Sequence, residues 1–153
     1  MTELLTIEHI RSAALGLKGE AYRTPLLESH VLNKKLGCRL LVKAETLQRT
    51  GSFKFRGAYN KISNIPKTQR KKGIVAFSSG NHAQGVAAAA KIFGIKTQIV
   101  MPKDAPAIKI ANTRAYGAKV LFYNRLEDDR RIIGEKLVKE TGATLVHPYD
   151  DPL

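Results

Sequence analysis

The chain has 153 residues, of which 43% are hydrophobic and 25% are charged, as in an ordinary soluble globular protein of about one domain. Its net charge is +13, but the basic residues are spread along the chain, and the densest cluster, residues 67–73, reads as a loop. We therefore expect no nucleic-acid partner, an interpretation that a steep loss of DNA affinity with salt would reverse.

Membrane and secretory classes are also not expected. The longest apolar runs, such as "GVAAAA", are far too short to span a bilayer. The first twenty residues lack the basic start and cleavage site of a signal peptide. Cys38 is the single cysteine, which excludes an internal disulfide and fits a reducing compartment. The sequence thus predicts a cytoplasmic protein with no membrane partner.

From residue 39 onward, short apolar runs alternate with segments of helical periodicity. The predicted strands are residues 39–45, 74–79, 96–102, 119–123 and 144–148, and the predicted helices are residues 52–63, 82–93, 107–116 and 126–141. Gly94, Gly117 and Gly142 stand where helix C-caps belong, each followed by a strand. This alternation predicts an α/β fold, a mostly parallel sheet with helices on both faces.

Ligands of such sheets bind beyond the carboxyl ends of the strands, near helix N-termini. One candidate loop is "SSGNH", which follows a predicted strand and opens an alanine-rich helix. Ser78, Ser79 and Asn81 supply donors, and Gly80 lets the backbone approach a ligand. The first helical amides add affinity for an anion. The alternative is a simple N-cap formed by Asn81.

The second candidate loop is "QRTGS", which precedes the helix that carries Lys54 between Phe53 and Phe55. Ser52 is expected to cap this helix. The helix dipole and the apolar neighbours favour a neutral amine on Lys54, and such an amine is a nucleophile toward carbonyl groups. The alternative is a lysine whose amine reaches water past the two rings.

A metal site is not expected from the histidine pattern. The chain contains four histidines, and none of them is spaced as a metal ligand would be. These are His9, His30, His82 and His147.

Taken together, the two loops resemble one enzyme family. The stretches "TPLLESHVLNKKLGCRLLVKAETLQRTGSFKFRGAYNKI" and "SSGNHAQGVAAAAKIFGIKTQIVMPKDAPAIKIANTRAYGAKV" look like those of the serine/threonine dehydratase group. These are pyridoxal-phosphate enzymes of the tryptophan-synthase-β-like fold, and the group includes serine racemase and hydroxyaspartate ammonia-lyases. The resemblance runs from about Arg23 to the C-terminus.

The resemblance implies a role for each matching residue. Lys54 would form the Schiff base with pyridoxal phosphate and, once released, would remove the substrate α-proton. Phe53 would lie against the cofactor ring, and Asn81 would bond its ring hydroxyl. Ser79 matches a second acid/base of the racemases. The substrate carboxylate would be held by Ser78, Ser79, Gly80, Asn81 and His82. The implied reaction is dehydration of serine, threonine or a related 3-hydroxy amino acid.

The sequence departs from this family in length. Members are about twice as long, and the half with no counterpart here carries their glycine-rich phosphate loop. No two glycines are adjacent in this chain. We expect a C-terminally truncated fold in which residues 1–45 belong to a large domain, residues 46–148 form a small α/β domain, and residues 149–153 begin the missing half.

Three interpretations remain open at this point: a fragment of a dehydratase, one piece of a split enzyme, and a non-catalytic remnant or binding module. We expect the isolated chain to bind the cofactor weakly and to turn over little or nothing. We also expect exposed apolar surface at Leu4, Leu5, Ile7 and Ile10. The partners expected are then a small amino acid, a second copy or a complementing C-terminal half.

Overall fold

The computed structural model describes residues 5–149 and 151. Its helices and strands follow one another along the chain, with short 3₁₀ turns at Glu45–Leu47 and Arg49–Gly51. In chain order the elements are α1 Ile7–Gly16, β1 Leu26–Glu28, α2 His30–Leu36, β2 Leu41–Lys43, α3 Lys54–Ser63, α4 Lys67–Arg70, β3 Ile74–Phe77, α5 Asn81–Ile92, β4 Thr97–Pro102, α6 Ala107–Ala115, β5 Lys119–Tyr123, α7 Arg130–Thr141 and β6 Thr144–Leu145.

The main sheet has four parallel strands in the order β5–β4–β3–β6. The chain runs outward from β3 through β4 to β5, and then returns to pair β6 with the other side of β3. The carboxyl ends of β3 and β6 therefore adjoin where the strand order reverses. In open α/β sheets this is the place where ligands bind.

Both faces of the sheet are covered, which explains why its central strands are apolar throughout. All four residues of β3 are buried. Ile74 and Ala76 join a core cluster with α3 and α5, while Phe77 packs with Val100 against Ile133 of α7 on the opposite face. Successive strand side chains point to opposite faces, so a strand covered on both sides needs no polar positions.

Helix α5 is the most deeply buried helix of the described chain. Every residue from 82 to 90 is buried, and most of them are alanine, glycine or valine. Small side chains let the helix lie close to α3 on one side and to the sheet on the other. The helix thus carries its N-terminus, Asn81, to a fixed position beside the start of α3.

The N-terminal part is covered much less well. Strand β1 pairs antiparallel with β2 in a separate two-stranded sheet, and every residue of both strands is exposed. Helices α1 and α2 contain no buried residue either. The expected apolar exposure is confirmed at Leu5, Ile7 and Ile10, which are 70%, 53% and 52% exposed. Leu4 lies outside the described residues.

The α/β class and the parallel sheet with helices on both faces are confirmed. Several boundaries differ from the predicted ones, and one predicted loop contains a helix. Helix α7 begins at Arg130 because the Asp129 carboxylate caps it, and β6 is only two residues long. Residues 67–73, predicted as a loop, contain the single-turn helix α4. Within the described residues, no helix combines the length and the apolar character needed to cross a membrane.

Candidate active site

The loop after β3 leads directly into α5 at the reversal of strand order. Ser78 follows the buried strand, and its hydroxyl accepts a hydrogen bond from the Gly80 backbone N–H at 3.1 Å. A Cβ built on Gly80 would meet no atom within 4 Å, so the glycine borders open space. The first amides of α5 have no partner within the helix. The loop thus offers hydroxyls and free amides together.

The alternative interpretation of this loop, an N-cap formed by the Asn81 side chain, is wrong. Gly80 is the N-cap residue and Asn81 is the first helical residue, with no side-chain capping bond. The Asn81 Oδ1 atom instead accepts a hydrogen bond from Nζ of Lys109, on α6, at 2.8 Å. Its Nδ2 group is therefore left to serve as the donor.

The expected cap of α3 is also wrong. The helix begins at Lys54 with Phe53 as N-cap residue, and that cap makes no side-chain hydrogen bond. Ser52 is buried in extended conformation, and its hydroxyl has no hydrogen-bond partner among the described residues. The preceding turn is tight, since Thr50 and Gly51 both have positive φ, at 65° and 70°.

Lys54 is the point at which the two loops meet. Its Nζ atom donates a hydrogen bond of 2.6 Å to the backbone oxygen of Pro148, just beyond β6. The same atom lies 5.3 Å from the centroid of the Phe53 ring. The phenylalanine is 59% exposed. The amine is thus held at the mouth of the site rather than extended into bulk water, as the alternative interpretation required.

Two cavities adjoin this lysine. One of about 300 Å³ lies against the loop after β3, and its lining includes Lys54, Ser78, Ser79, Gly80, Asn81, His82 and Arg130. Another, of about 190 Å³, lies on the other side of Lys54, between α3 and the segment after β6. The structure therefore brings every site residue named from the sequence to one place, with Phe53 lining the smaller cavity.

The His82 side chain is bound to the segment after β6. Its side chain is buried, and Nε2 lies 3.0 Å from the backbone oxygen of Val146, which makes Nε2–H the donor of this bond. Burial, with a smaller contribution from the charge of nearby Lys54, lowers the pKa of the imidazole to about 4, against the opposing effect of that bond. The ring is therefore neutral at pH 7, and the group that His82 offers to an anion is its backbone amide.

The segment after β6 is held against the site by three contacts. His82 bonds the oxygen of Val146, Lys54 bonds that of Pro148, and Lys61 forms an ion pair of 2.8 Å with Asp151. Residues 146–149 and 151 therefore form one wall of the smaller cavity. The predicted strand over residues 144–148 ends at Leu145 because these residues cross over the site instead of extending the sheet.

Three residues that belong to this arrangement were not predicted from the sequence. Arg130 begins α7 and lines the larger cavity, with its guanidinium 5.8 Å from the Phe77 ring centroid. Lys109 orients Asn81. Gly85, inside α5, touches the backbone at Lys54. Only Gly85 left a signal in the sequence, because a glycine inside a helix is costly unless packing requires it.

A metal centre is not apparent in the part of the chain that the structure describes. Among those residues, no group of three or more His, Cys, Asp or Glu side chains is arranged to hold an ion.

The chain is similar in sequence to known amino-acid ammonia-lyases. The chain is 51% identical over 150 residues to an L-threo-3-hydroxyaspartate ammonia-lyase of Pseudomonas sp, covering 98% of this chain and 47% of that protein. It is 48% identical over 149 residues to an L-threonine ammonia-lyase of Thermotoga maritima, covering 97% and 37%. The chain thus spans less than half the length of these curated relatives.

Solved structures match as well. Maize serine racemase superposes with a TM-score of 0.91 at 38% identity, over 97% of this chain and 45% of that one. The serine racemase of Dictyostelium discoideum superposes with a TM-score of 0.88 at 35% identity, over 96% and 48%. The family model described as "Pyridoxal-phosphate dependent enzyme" matches residues 17–153. Since this match takes in most of the sequence and the whole main sheet, the chain belongs to the pyridoxal-phosphate dependent enzymes.

Proposed function

We propose that this chain carries the lysine half of a pyridoxal-phosphate ammonia-lyase that acts on serine, threonine or a related 3-hydroxy amino acid. The observation that carries the proposal is the meeting of the Lys54 amine with the anion-binding start of α5 around one cavity. An amine that attacks a carbonyl and a nest of donors for a carboxylate are the two groups such a reaction needs.

The side chains present fit the cofactor's aldehyde and ring. Lys54 has its amine at the cavity mouth, Phe53 offers an aromatic face beside that amine, and Asn81 has its Nδ2 group free for a ring oxygen. Open space at Gly80 leaves room for a planar ring to approach the backbone. When bound, pyridoxal phosphate would supply an electron sink for the charge left by loss of the substrate α-proton.

The chain's own residues would then bind the substrate and move its proton. The Ser78 and Ser79 hydroxyls and the first amides of α5, including that of His82, would hold the substrate carboxylate. Lys54 would take the α-proton. Ser79 would serve as acid or base on the other face if the enzyme racemises. The net dehydratase reaction converts a 3-hydroxy amino acid into a 2-oxo acid and ammonia.

Arg130 favours an acidic substrate side chain within this class. Its guanidinium lines the same cavity as the carboxylate-binding loop, so the cavity has two separate sites for anionic groups. A guanidinium binds a carboxylate in bidentate geometry. Two relatives named as L-threo-3-hydroxyaspartate ammonia-lyases, at 51% and 46% identity, support 3-hydroxyaspartate as the candidate to test first.

A complementing polypeptide is part of the proposal. We infer that residues 1–45 belong to a large domain and residues 46–148 to a small one, with residues 149–153 leading into the remainder of the large domain. The uncovered β1–β2 sheet supports this division. The rest of the active site, including the group that binds the cofactor phosphate, would come from that remainder or from a separate chain.

The test is covalent capture of pyridoxal phosphate on Lys54. The chain is incubated with the cofactor, reduced with borohydride and digested, and the pyridoxyl label on each lysine is measured by mass spectrometry. We expect Lys54 to be labelled well above the average lysine. Lys54→Arg should abolish this preference, and Lys67→Arg, at an exposed lysine of α4, should retain it.

A uniform label across the lysines would contradict the proposed function of Lys54. Turnover is tested separately by release of 2-oxo acid from serine, threonine and 3-hydroxyaspartate. We expect little release from the isolated chain. A rate matched by Lys54→Arg would show that the lysine does not take the proton.

A further inference from the structure

Gly85 lies in the second turn of α5, where that helix crosses the start of α3. A Cβ built on Gly85 would lie 3.0 Å from the carbonyl carbon of Lys54, 3.1 Å from its oxygen and 3.1 Å from the backbone nitrogen of Phe55. All three atoms belong to the backbone, so no side-chain rotation could make room. The two helices are therefore in contact, backbone to backbone, at the lysine itself.

The two helices cannot easily separate to admit a larger residue. Gly85 is buried, and α5 is buried from His82 to Ala90 between α3 and the sheet. On the α3 side, Phe55 and Ala58 are both buried in the same core cluster. Interiors packed to this density do not absorb an added carbon without shifting backbone or side chains.

Gly85 is also tied to the anion-binding loop. It follows Asn81, the first residue of α5, by four positions, which is about one helical turn. A single rigid turn therefore connects the loop that ends at Gly80 to the point where α5 touches Lys54. The distance between the lysine and the loop is set through this contact.

We propose that Gly85 is a positioning residue, which places the Lys54 amine against the loop of residues 78–82 by allowing direct contact between α3 and α5. This inference rests on the proposed role of Lys54. An added methyl group at residue 85 would push the start of α3 away from α5. The amine would then move relative to the loop, the Phe53 ring and the oxygen of Pro148, although none of these groups is itself altered.

The experiment compares Gly85→Ala with the unchanged chain in the pyridoxal-phosphate capture assay. A misplacement of the order of 1 Å costs up to about 100-fold in reactions that depend on orientation. We expect selective labelling of Lys54 in Gly85→Ala to fall by about tenfold or more on this basis. The labelling of exposed lysines on other elements should stay the same.

Gly73→Ala is the control for general destabilisation. Gly73 is also buried, but it lies at the amino end of β3, where its Cβ would lie 2.9 Å from the backbone oxygen of Lys96, away from the candidate site. Its Lys54 labelling should match that of the unchanged chain. Circular dichroism and thermal melting show how much of each variant is folded, and an osmolyte such as trimethylamine N-oxide is added where a variant has partly unfolded.

Each outcome decides the inference. Loss of Lys54 labelling in folded Gly85→Ala but not in Gly73→Ala supports it. Equal labelling in folded Gly85→Ala and the unchanged chain, an equal loss in both variants, or a Gly85→Ala chain that stays unfolded with osmolyte overturns it. If the unchanged chain shows no preference for Lys54, the proposed function fails first, so the two failures are distinguishable.

Discussion

At the scale of single residues, His82 shows how the site is held together without taking part in the chemistry. Its imidazole ties α5 to the segment after β6 through Val146, in a buried place where a charge is costly. The charged groups that act on it are Lys54, His147 and Asp151, of which only the aspartate favours its protonation. A neutral, hydrogen-bonded histidine is thus built into the wall of the site.

This arrangement predicts a pH-dependent stability. The ordinary pKa of 6.5 applies to the unfolded chain, and the folded value is about 4, so the unfolded chain binds the proton first as the pH falls. Stability is therefore full above pH 6.5 and decreases toward pH 4, by roughly 3 kcal/mol at most from this group. Urea unfolding at pH 7 and pH 4.5 measures the change.

His82→Gln separates this effect from other titrations. Glutamine keeps a donor for Val146 but does not titrate, so the variant should lose most of the decrease between pH 6.5 and 4.5. His30→Gln, at an exposed position, should keep it. Glu45 interferes little, because its hydrogen bond to Arg56 lowers the pKa of the carboxyl to about 2, which moves its loss of stability below this range. An unchanged slope in His82→Gln would rule out the histidine.

At the scale of elements, the ends of helices explain where sequence patterns failed. The sequence predicted a side-chain cap at Ser52 and, as an alternative, one at Asn81, and neither forms. Side-chain caps form at other helices, among them α7, where the Asp129 carboxylate accepts a hydrogen bond of 2.7 Å from the Arg131 N–H. Helices α3 and α5 both begin at the candidate site, where free helical amides would be used by a ligand. Helices α4 and α6, which begin after Pro66 and Pro106, also lack a side-chain cap.

Removing the cap of α7 should lower the free energy of unfolding by a measurable amount. Asp129→Ala removes the acceptor for the Arg131 amide, and we expect a loss of about 1 kcal/mol in the free energy of unfolding. Asp129→Asn retains an acceptor at the same position and should cost a few tenths of that amount, roughly 0.3 kcal/mol. Denaturant unfolding at pH 7 compares the two variants. Equal losses would show that charge, and not capping, is what Asp129 contributes.

At the scale of the whole molecule, the main sheet and the N-terminal part differ in how far their side chains are buried. The main sheet is buried on both faces. The two-stranded β1–β2 sheet and helices α1 and α2 contain no buried residue. A two-stranded sheet is marginal in water unless something packs against it. The N-terminal part thus has an apolar surface of the kind that associates with another chain.

We expect the isolated chain to self-associate as its concentration rises. Light scattering after size-exclusion chromatography measures the mass. Val31→Lys, at a residue of α2 that is 78% exposed, should shift the chain toward monomer, because a charge on an apolar contact opposes association. Leu126→Lys, at a residue 94% exposed in the turn before α7, is the control and should change little. A monomer at every concentration would contradict the expectation.

The sequence by itself determined the class, the order of the main strands and helices, and the two loops that carry the chemistry. It did so because each feature is local: apolar runs, helical spacing, glycine stops and motif residues lie within a few positions of one another. Lys54 and residues 78–82 could be named as one site only through the family resemblance, since nothing local joins two loops some 25 residues apart.

Only the tertiary structure decided what surrounds Lys54. The oxygen of Pro148 lies 94 positions away in sequence, yet it is 2.6 Å from the amine. Arg130 reaches the cavity because α7 crosses the far face of the sheet, and Gly85 matters because α5 touches α3 there. These contacts depend on the path of the chain across the sheet, which periodicity does not encode. Of residues 39–45, predicted as a strand, Leu41–Lys43 form β2, which pairs in the small sheet because strand pairing is a choice between distant partners.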